Sequence, residues 1–259
     1  MAVRTGAPRR AGRAVLVTWF LLPLVPLLLW ALADRWSAPA PLPQQWGLSG
    51  VRQALASGAP GAALRSTGLG LGVAVLAVPA GSLAARALVR GRVPAPRLAT
   101  ALLLLPLALP PFAVSLGTDV ALLRAGIPGP IGVLALLVVG ALPYTALTMR
   151  VAHGAWDTTA EDEARTLGAT PSQVFWRVRL PGLAPAYAAA AFLAFLVGWS
   201  DYVVTLLVGG GHLVTVPLLV AGAAARTGSA PLLAALSLLS VLPPLVLLLA
   251  VAALGRRRG

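Results

Sequence analysis

The chain has 259 residues, of which 58% are hydrophobic and 10% are charged, and its formal net charge at pH 7 is +13. All 20 basic residues are arginine, and the sequence contains two histidines and no cysteine. Without lysine, the chain lacks the residue that a Walker A loop or a Schiff-base catalyst requires, so an ATPase is excluded. Without cysteine and with only two histidines, disulfides and a protein-built zinc or haem site are not expected.

Apolar runs close to the roughly 20 residues that cross a bilayer recur along the chain. Six such runs lie at residues 15–33, 68–85, 99–118, 131–149, 187–208 and 231–254. They predict an all-α polytopic membrane protein with six transmembrane helices. On this prediction, residues 1–14 form an N-terminal tail, residues 15–254 form the transmembrane domain and residues 255–259 form a basic C-terminus.

The first run has an alternative interpretation as a signal peptide, because a basic start, an apolar core and Ala31-Leu32-Ala33 together mimic a cleavage site. The run is long for the core of a signal peptide, and its removal would leave an odd number of spans. We therefore predict that it remains as the first span.

Prolines lie inside several of these runs, notably Pro106, Pro110, Pro111 and Pro143. Each removes a backbone donor, so a kinked or interrupted helix is expected where a neighbour or a cavity can satisfy the freed carbonyl groups. The prolines are compatible both with simple packing of a helix bundle and with the lining of a solute pathway.

The distribution of arginine predicts the orientation, because cytoplasmic loops retain basic residues and translocated loops are depleted of them. With a cytoplasmic N-terminus, 15 of the 20 arginines lie on the cytosolic side, and the other five are Arg35, Arg52, Arg65, Arg124 and Arg226. Both termini are therefore predicted to be cytoplasmic. The positive charge then reflects topology and contact with the lipid bilayer, and no nucleic-acid partner is expected because the arginines are dispersed between the spans.

A long polar insert at residues 157–181, DTTAEDEARTLGATPSQVFWRVRLP, separates the fourth and fifth runs and holds four of the seven acidic residues. Thr158 and Glu161 have the spacing of a capping box, which predicts a short helix over residues 159–167. Gly168 comes next, and a glycine at this place suits the left-handed conformation that commonly ends a helix. The first half of the insert is thus predicted to be a helix closed by a glycine turn.

A second helix start follows this turn directly. Thr170 is a candidate N-cap, Pro171 fits the first helical position and Gln173 has the spacing of a second capping box. The helix places Val174, Phe175 and Val178 on or near one apolar face. The whole insert is therefore predicted to be an amphipathic helix-turn-helix in the cytosol.

The insert resembles the EAA loop of ABC importer permeases, whose pattern is E-A-A, three residues, G, nine residues, I, one residue and L-P. The corresponding positions, at the same spacing throughout, are Asp162, Glu163, Ala164, Gly168, Val178, Leu180 and Pro181. This chain departs from the pattern at Asp162, Glu163 and Val178, which stand where the family usually has glutamate, alanine and isoleucine. With the six-span layout, the resemblance covers most of the chain.

The resemblance implies a permease subunit in the cytoplasmic membrane of a bacterium, which forms the solute pathway and couples it to a separate ATPase dimer through these seven positions. It also implies a second permease subunit, identical or different, and an extracytoplasmic solute-binding protein. ATP would be used by the ATPase, so this chain itself is expected to hold no cofactor. An alternative interpretation of the insert is an amphipathic helix that lies on the lipid headgroups.

Asp201 places a carboxylate inside the fifth apolar run, where an ionisable group is costly and is by default a functional candidate. The surrounding sequence, WSDYVVT at residues 199–205, is similar to the spermidine and putrescine permeases, which often have D-D-F-V-V-T. Ser200 replaces one of the two acids and Tyr202 replaces the phenylalanine. We predict that Asp201, Tyr202 and Thr205 line a substrate pathway, with a polyamine as the substrate.

Several alternatives remain open at the level of sequence. Ferric iron, thiamine and sugar permeases share the loop, and Asp201 also fits the role of a structural hydrogen-bond acceptor between helices. An intramembrane enzyme would need a catalytic pair within a span, for which Asp119 and Asp201 are the carboxylates. A membrane scaffold without transport activity would use the insert for docking alone.

Overall fold

The computed structural model describes residues 21–37 and 39–256, together with positions 12, 15, 16, 18 and 19. The predicted tail at residues 1–14, Gly12 apart, and the last three residues of the predicted basic C-terminus lie outside this part of the chain. So does part of the first predicted span. What is described of that run ends in an eight-residue helix.

Nearly all of the described regular structure is helical. The helices are α1 (Leu24–Ala31), α2 (Ser49–Ala56), α3 (Ala59–Val89), α4 (Pro96–Ala108), α5 (Pro111–Arg124), α6 (Gly129–Gly154), α7 (Thr159–Thr166), α8 (Pro171–Gly182), α9 (Ala184–Ser200), α10 (Val203–Val208), α11 (Val216–Ala224) and α12 (Ala230–Arg256). Two short strands, β1 (Ala33–Arg35) and β2 (Gln45–Trp46), form an antiparallel hairpin. The helical content agrees with the predicted all-α class.

Three of these helices, α3, α6 and α12, are long and apolar enough to cross a membrane. They contain the second, fourth and sixth predicted spans. The pair α4 and α5 and the pair α8 and α9 meet the same criterion jointly, but they bend by 98° and 77° respectively. The described residues therefore contain three candidate spans, or five if each bent pair counts as one.

The third predicted span, residues 99–118, is not one continuous helix. Leu109 and Pro110 are both extended, with ψ angles of 130° and 124°, and they separate α4 from α5. The physical reason is the pair Pro110-Pro111, because proline lacks a backbone donor and disfavours helical geometry in the residue before it. Pro106 and Pro143, by contrast, are accommodated inside α4 and α6.

The fifth predicted span, residues 187–208, is also interrupted. Asp201 has an extended backbone with a ψ angle of 132°, and it ends α9 before α10 begins. Its carboxylate accepts hydrogen bonds from the backbone amides of Val204 at 3.3 Å and Thr205 at 2.8 Å. The side chain thus satisfies amide groups at the start of α10, which have no carbonyl partner within their own helix.

The chain divides into two units, of which the first comprises residues 1–60 and 219–242. In it, the β1–β2 hairpin is followed by α2, and the Asp34 carboxylate accepts a hydrogen bond of 2.8 Å from the amide of Ser49 at the first residue of α2. Its apolar core contains Ala54, Ala59, Ala223, Leu232 and Leu236.

The second unit comprises residues 61–218 and 243–259, and α3, α6 and α9 pack closely in it. Gly70 of α3 touches α9, since a Cβ atom added to Gly70 would lie 2.7 Å from the ring of Phe195. A Cβ added to Gly198 would lie 2.7 Å from the Cα atom of Gly70. These glycines allow the two backbones to approach directly, as small residues commonly do between membrane helices.

Replacing Gly70 with valine is expected to lower the thermal stability of the detergent-solubilised protein, whereas Gly68→Val is not. Both substitutions make the same change in helix propensity in α3. Only Gly70 faces Phe195, because nothing lies within 4 Å of the Cβ position at Gly68. Overpacking of this kind costs about 1–3 kcal/mol. Equal melting temperatures for the two variants, measured by scanning fluorimetry, would contradict the close approach.

Candidate functional site

The polar insert, residues 157–181, forms α7, a turn and most of α8. Gly168 has a φ angle of +85°, the left-handed geometry that its spacing predicts. The amide of Gly168 donates to the carbonyl of Arg165, and the amide of Ala169 donates to the carbonyl of Ala164, each at 2.9 Å. These bonds satisfy the last carbonyl groups of α7 and reverse the chain direction.

The capping box predicted at the start of α8 is confirmed. The Thr170 hydroxyl accepts from the amide of Gln173 at 3.3 Å, and the Gln173 side chain accepts from the amide of Thr170 at 2.8 Å. Pro171 occupies the first helical position, where its missing donor costs nothing.

The capping box predicted for Thr158 and Glu161 is wrong. No side chain caps α7 from Thr158; instead, the Asp157 carboxylate accepts from the amide of Thr159 at 3.0 Å and from its hydroxyl at 2.7 Å. Glu161 is turned inward, and its carboxylate is bound by Arg179. The guanidinium of Arg179 gives the Glu161 carboxylate two hydrogen bonds and an opposite charge, whereas a backbone amide would give it a single bond from an uncharged donor, so the contact with Arg179 is preferred to the local capping box.

Glu161 is completely buried, and it lies at the centre of a polar cluster. Arg179 Nε donates to Glu161 Oε1 at 2.6 Å, and Arg179 NH2 donates to Oε2. Trp156 Nε1 donates to Oε1 at 3.0 Å, and Arg165 NH2 donates to Oε2 at 3.1 Å. The guanidinium of Arg90 lies 4.0 Å from the same oxygen.

The environment of this carboxylate sets its charge. Burial alone would raise the pKa of Glu161, but the hydrogen bonds from Arg179 and Trp156 and the charges of Arg179 and Arg165 outweigh it. Together they lower the pKa of Glu161 to about 2. Glu161 is therefore ionised throughout the physiological range, and its bonds to Arg179 are charge-assisted.

A second polar contact ties three helices of the same unit. The Ser82 hydroxyl of α3 forms hydrogen bonds with His153 Nε2 of α6 at 3.1 Å and with the Tyr187 hydroxyl of α9 at 2.9 Å. Sequence reasoning missed both this contact and the Glu161–Arg179 pair. Glu161 and Arg179 lie in different helices on either side of the Gly168 turn, so no periodicity within one helix relates them and only the fold reveals the pair.

The predicted coupling positions are partly brought together. A hollow of about 410 Å³ between α7 and α8 is lined by Ala164, Gly168 and Val178 among them. Asp162, Glu163, Leu180 and Pro181 are not among its lining residues. The Asp162 carboxylate is exposed and pairs with Arg165.

Large apolar side chains are exposed beside this hollow. Leu167, in the turn, is 88% exposed, and Trp176 of α8 is 63% exposed. Arg177 lines the hollow together with Leu167. An exposed tryptophan next to an arginine is typical of a surface that binds another protein, because tryptophan and arginine are enriched among the residues that dominate binding energy at interfaces.

A larger cavity of about 680 Å³ lies at the two helix breaks of the second unit. Leu109 and Pro111 line it from the break between α4 and α5, and Asp201 and Tyr202 line it from the break between α9 and α10. Most of its other walls are apolar. Irregular backbone at membrane depth is tolerated where it lines a cavity. The position of the cavity at both helix breaks is consistent with this rule.

Two of the three predicted pathway residues, Asp201 and Tyr202, line this cavity, and Thr205 does not. Thr205 is buried, and its hydroxyl donates to Asp201 Oδ2 at 2.7 Å. Its role in the structure is to hold the Asp201 carboxylate. Sequence reasoning missed Tyr144, whose ring reaches the same cavity from α6.

These features define a class: an all-α membrane protein with helices interrupted beside an open cavity and an exposed polar helix pair. Residues 77–259 match the family described as binding-protein-dependent transport system inner membrane component. The chain belongs to this family. The family and the apolar helices together identify a multi-pass inner membrane protein.

Two relatives carry names that specify a solute. The trehalose transport system permease protein SugB of Mycobacterium tuberculosis (strain CDC 1551 / Oshkosh) is 32% identical over 165 residues, which are 62% of this chain and 59% of that protein. The putrescine transport system permease protein PotI of Escherichia coli (strain K12) is 35% identical over 77 residues, which are 30% of this chain and 27% of that protein. The similarity thus spans about three fifths of the length of the first relative and about a quarter of the second.

Proposed function

We propose that the chain is the membrane-spanning permease subunit of an ATP-driven importer. In this proposal it forms the solute pathway and takes no part in the chemistry of ATP, which a separate ATPase dimer hydrolyses. The observation that carries the proposal is the exposed α7–α8 pair, which lies within the region that matches the family of inner membrane transport components. The hydrogen bonds that the Asp201 carboxylate accepts from backbone amides argue against its use as the acid or base of an intramembrane enzyme.

The coupling surface in this proposal is the hollow between α7 and α8 together with Leu167, Trp176 and Arg177. Its exposed apolar side chains would be covered by the ATPase, which explains why they face solvent in the isolated chain. A surface that lies flat on lipid headgroups would need no concave site, and the hollow of about 410 Å³ therefore favours a protein partner.

The membrane arrangement in the proposal has six spans with both termini in the cytosol. The arginine distribution supports this orientation, since it places most arginines, including those of the α7–α8 pair, on the cytosolic side. The remaining partners are a second permease subunit, identical or different, and an extracytoplasmic solute-binding protein. ATP-driven closure of the ATPases would rock the paired permeases between inward-facing and outward-facing states.

The substrate class in the proposal is a polyamine that uses the cavity at the helix breaks. Asp201 supplies a half-buried carboxylate in a largely apolar wall, which is a partner for an organic cation. The second candidate is a sugar, because the similarity to the trehalose permease extends over 62% of the chain. The tyrosines Tyr144 and Tyr202 could bind the hydroxyl groups of such a solute.

The proposal predicts that the affinity-tagged chain, extracted from its native membrane in mild detergent, retains an ATPase subunit. Vesicles reconstituted with this complex and its solute-binding protein are expected to import solute only when ATP is supplied on the ATPase side. Labelled putrescine and labelled trehalose, tested in parallel, would separate the two candidate substrates. The proposal of an ATP-driven importer would be refuted if the chain purified without an ATPase subunit and if solute uptake were the same with and without ATP.

A further inference from the structure

The Glu161 cluster joins three separate segments of the second unit at one carboxylate. Trp156 follows α6, Glu161 and Arg165 belong to α7, and Arg179 belongs to α8. Each segment donates its own hydrogen bond, so none of the three can rotate without breaking a bond to a buried charge. The bidentate bond from Arg179 fixes both the distance and the angle between α7 and α8.

Arg179 reaches this position because α8 is locally irregular. Residues Phe175–Arg179 form a π-helical turn, which inserts an extra residue into the helical period. Arg179 is consequently turned inward, with 6% of its side chain exposed, whereas Arg177 in the same turn is exposed. A π-helical turn is less stable than a regular α-helical turn unless a specific contact stabilises it. Here the stabilising contact is the one between Arg179 and the Glu161 carboxylate.

The indole ring of Trp156 adds a steric link to the end of α8. A Cβ atom added to Gly182 would lie 2.0 Å from Trp156 Cη2, so the ring rests directly on the glycine. Trp156 is thereby held between α7, through its bond to Glu161, and the last residue of α8. Three residues earlier in the chain, His153 of α6 bonds to Ser82 of α3, which carries the connection into the helix bundle.

We propose that Glu161, Arg179 and Trp156 are positioning residues that make α7 and α8 one rigid body with the end of α6. In an importer, this body would transmit the movement of the ATPase to the membrane helices without loss. The transport consequence rests on the function proposed above, but the rigid connection does not. In this proposal the three residues affect transport only by positioning the helices, and they contact neither the solute nor ATP.

The connection is tested by pulsed electron paramagnetic resonance on the full chain in lipid nanodiscs. Spin labels are attached at two introduced cysteines, Val151→Cys and Leu167→Cys. Because the sequence has no native cysteine, no other position is labelled. These positions are 75% and 88% exposed, and they report the separation of α6 from the α7–α8 turn. A single narrow distance distribution is expected for the wild-type background.

The variants Glu161→Gln and Arg179→Gln are expected to broaden this distribution about twofold, since each leaves an unpaired buried partner. Arg177→Gln is the matched control, because it makes the same change two residues away on the exposed side of the same turn. Gly182→Ala keeps every charge and displaces only the Trp156 ring, so it tests the connection even if the charge variants fail to fold. Broadening by Gly182→Ala supports the proposal, and distributions that are identical in all folded variants overturn it.

Coupled transport provides a second measurement that loss of stability alone would not change. In Glu161→Gln complexes that assemble normally, the number of ATP molecules hydrolysed per solute imported is expected to rise about tenfold, within the usual range for changes along a coupling network. An unchanged ratio in a variant with a broadened distribution would overturn the role in coupling. If the wild-type chain binds no ATPase, the proposed function fails, and the spin-label distances still decide whether the connection is rigid.

Discussion

A Gly168→Val variant is expected to insert into the membrane normally but to lose its ATPase partner or its ATP-driven uptake. Gly168 has a φ angle of +85°, which a β-branched residue adopts only with strain of roughly 1–2 kcal/mol or more. Relief of this strain requires a different backbone conformation in the turn, which changes how α7 and α8 are joined. Since that angle shapes the hollow lined by Ala164, Gly168 and Val178, the docking surface should be lost with it.

The control for this experiment is Gly168→Asn. Asparagine tolerates the left-handed region far better than valine does, and nothing lies within 4 Å of the Cβ position at Gly168, so neither side chain is crowded within the chain. The asparagine variant should retain the ATPase, and the valine variant should lose at least roughly tenfold in affinity, which corresponds to about 1.4 kcal/mol. Co-purification of the ATPase with Gly168→Val at wild-type yield, with normal uptake, would remove the coupling role from this loop.

Local rules were sufficient where the structure depends on neighbouring residues. Gly168 and the capping box of Thr170 and Gln173 follow from spacing within one turn of chain, and the sequence predicts both. Glu161 shows the limit of such rules. Its spacing from Thr158 is that of a capping box. In the structure, however, the Glu161 carboxylate binds the guanidinium of Arg179, 18 residues further along the chain, and does not cap the helix.

Hydropathy predicts where apolar segments lie but not whether their backbone is continuous. It located the helices α3, α6 and α12, yet it treated residues 99–118 and 187–208 as single spans. The first is interrupted by Pro110-Pro111 and the second by Asp201, each of which changes the backbone without lowering the average hydrophobicity enough to end a run. Hydropathy therefore did not reveal the cavity at these breaks, although the prolines indicated an interrupted helix and two of the lining residues, Asp201 and Tyr202, were predicted.

An Asp201→Asn variant is expected to reduce the uptake of a cationic solute by at least roughly tenfold, because a half-buried charge contributes more than the 0–1 kcal/mol of an exposed ion pair. Asp201 contributes the charge to a cavity whose walls are mostly apolar. Asparagine keeps the size of the side chain and one acceptor oxygen, which suffices for the amide and hydroxyl of Thr205 and gives up only the longer bond of 3.3 Å from Val204, so α10 should still form. Assembly with the ATPase should persist, because residue 201 lies outside the α7–α8 pair.

Two further variants separate charge from structure at this site. Asp119→Asn makes the same chemical change in α5 at a residue that does not line the cavity, and it should leave uptake unchanged. Asp201→Leu removes every acceptor for Val204, Thr205 and the Thr205 hydroxyl, so it should lower the yield of folded complex as well as uptake. If Asp201 serves only as a structural acceptor, Asp201→Asn will transport as the wild type does while Asp201→Leu fails to fold. That result would refute the charge role and leave a neutral solute such as a sugar as the better substrate for this cavity.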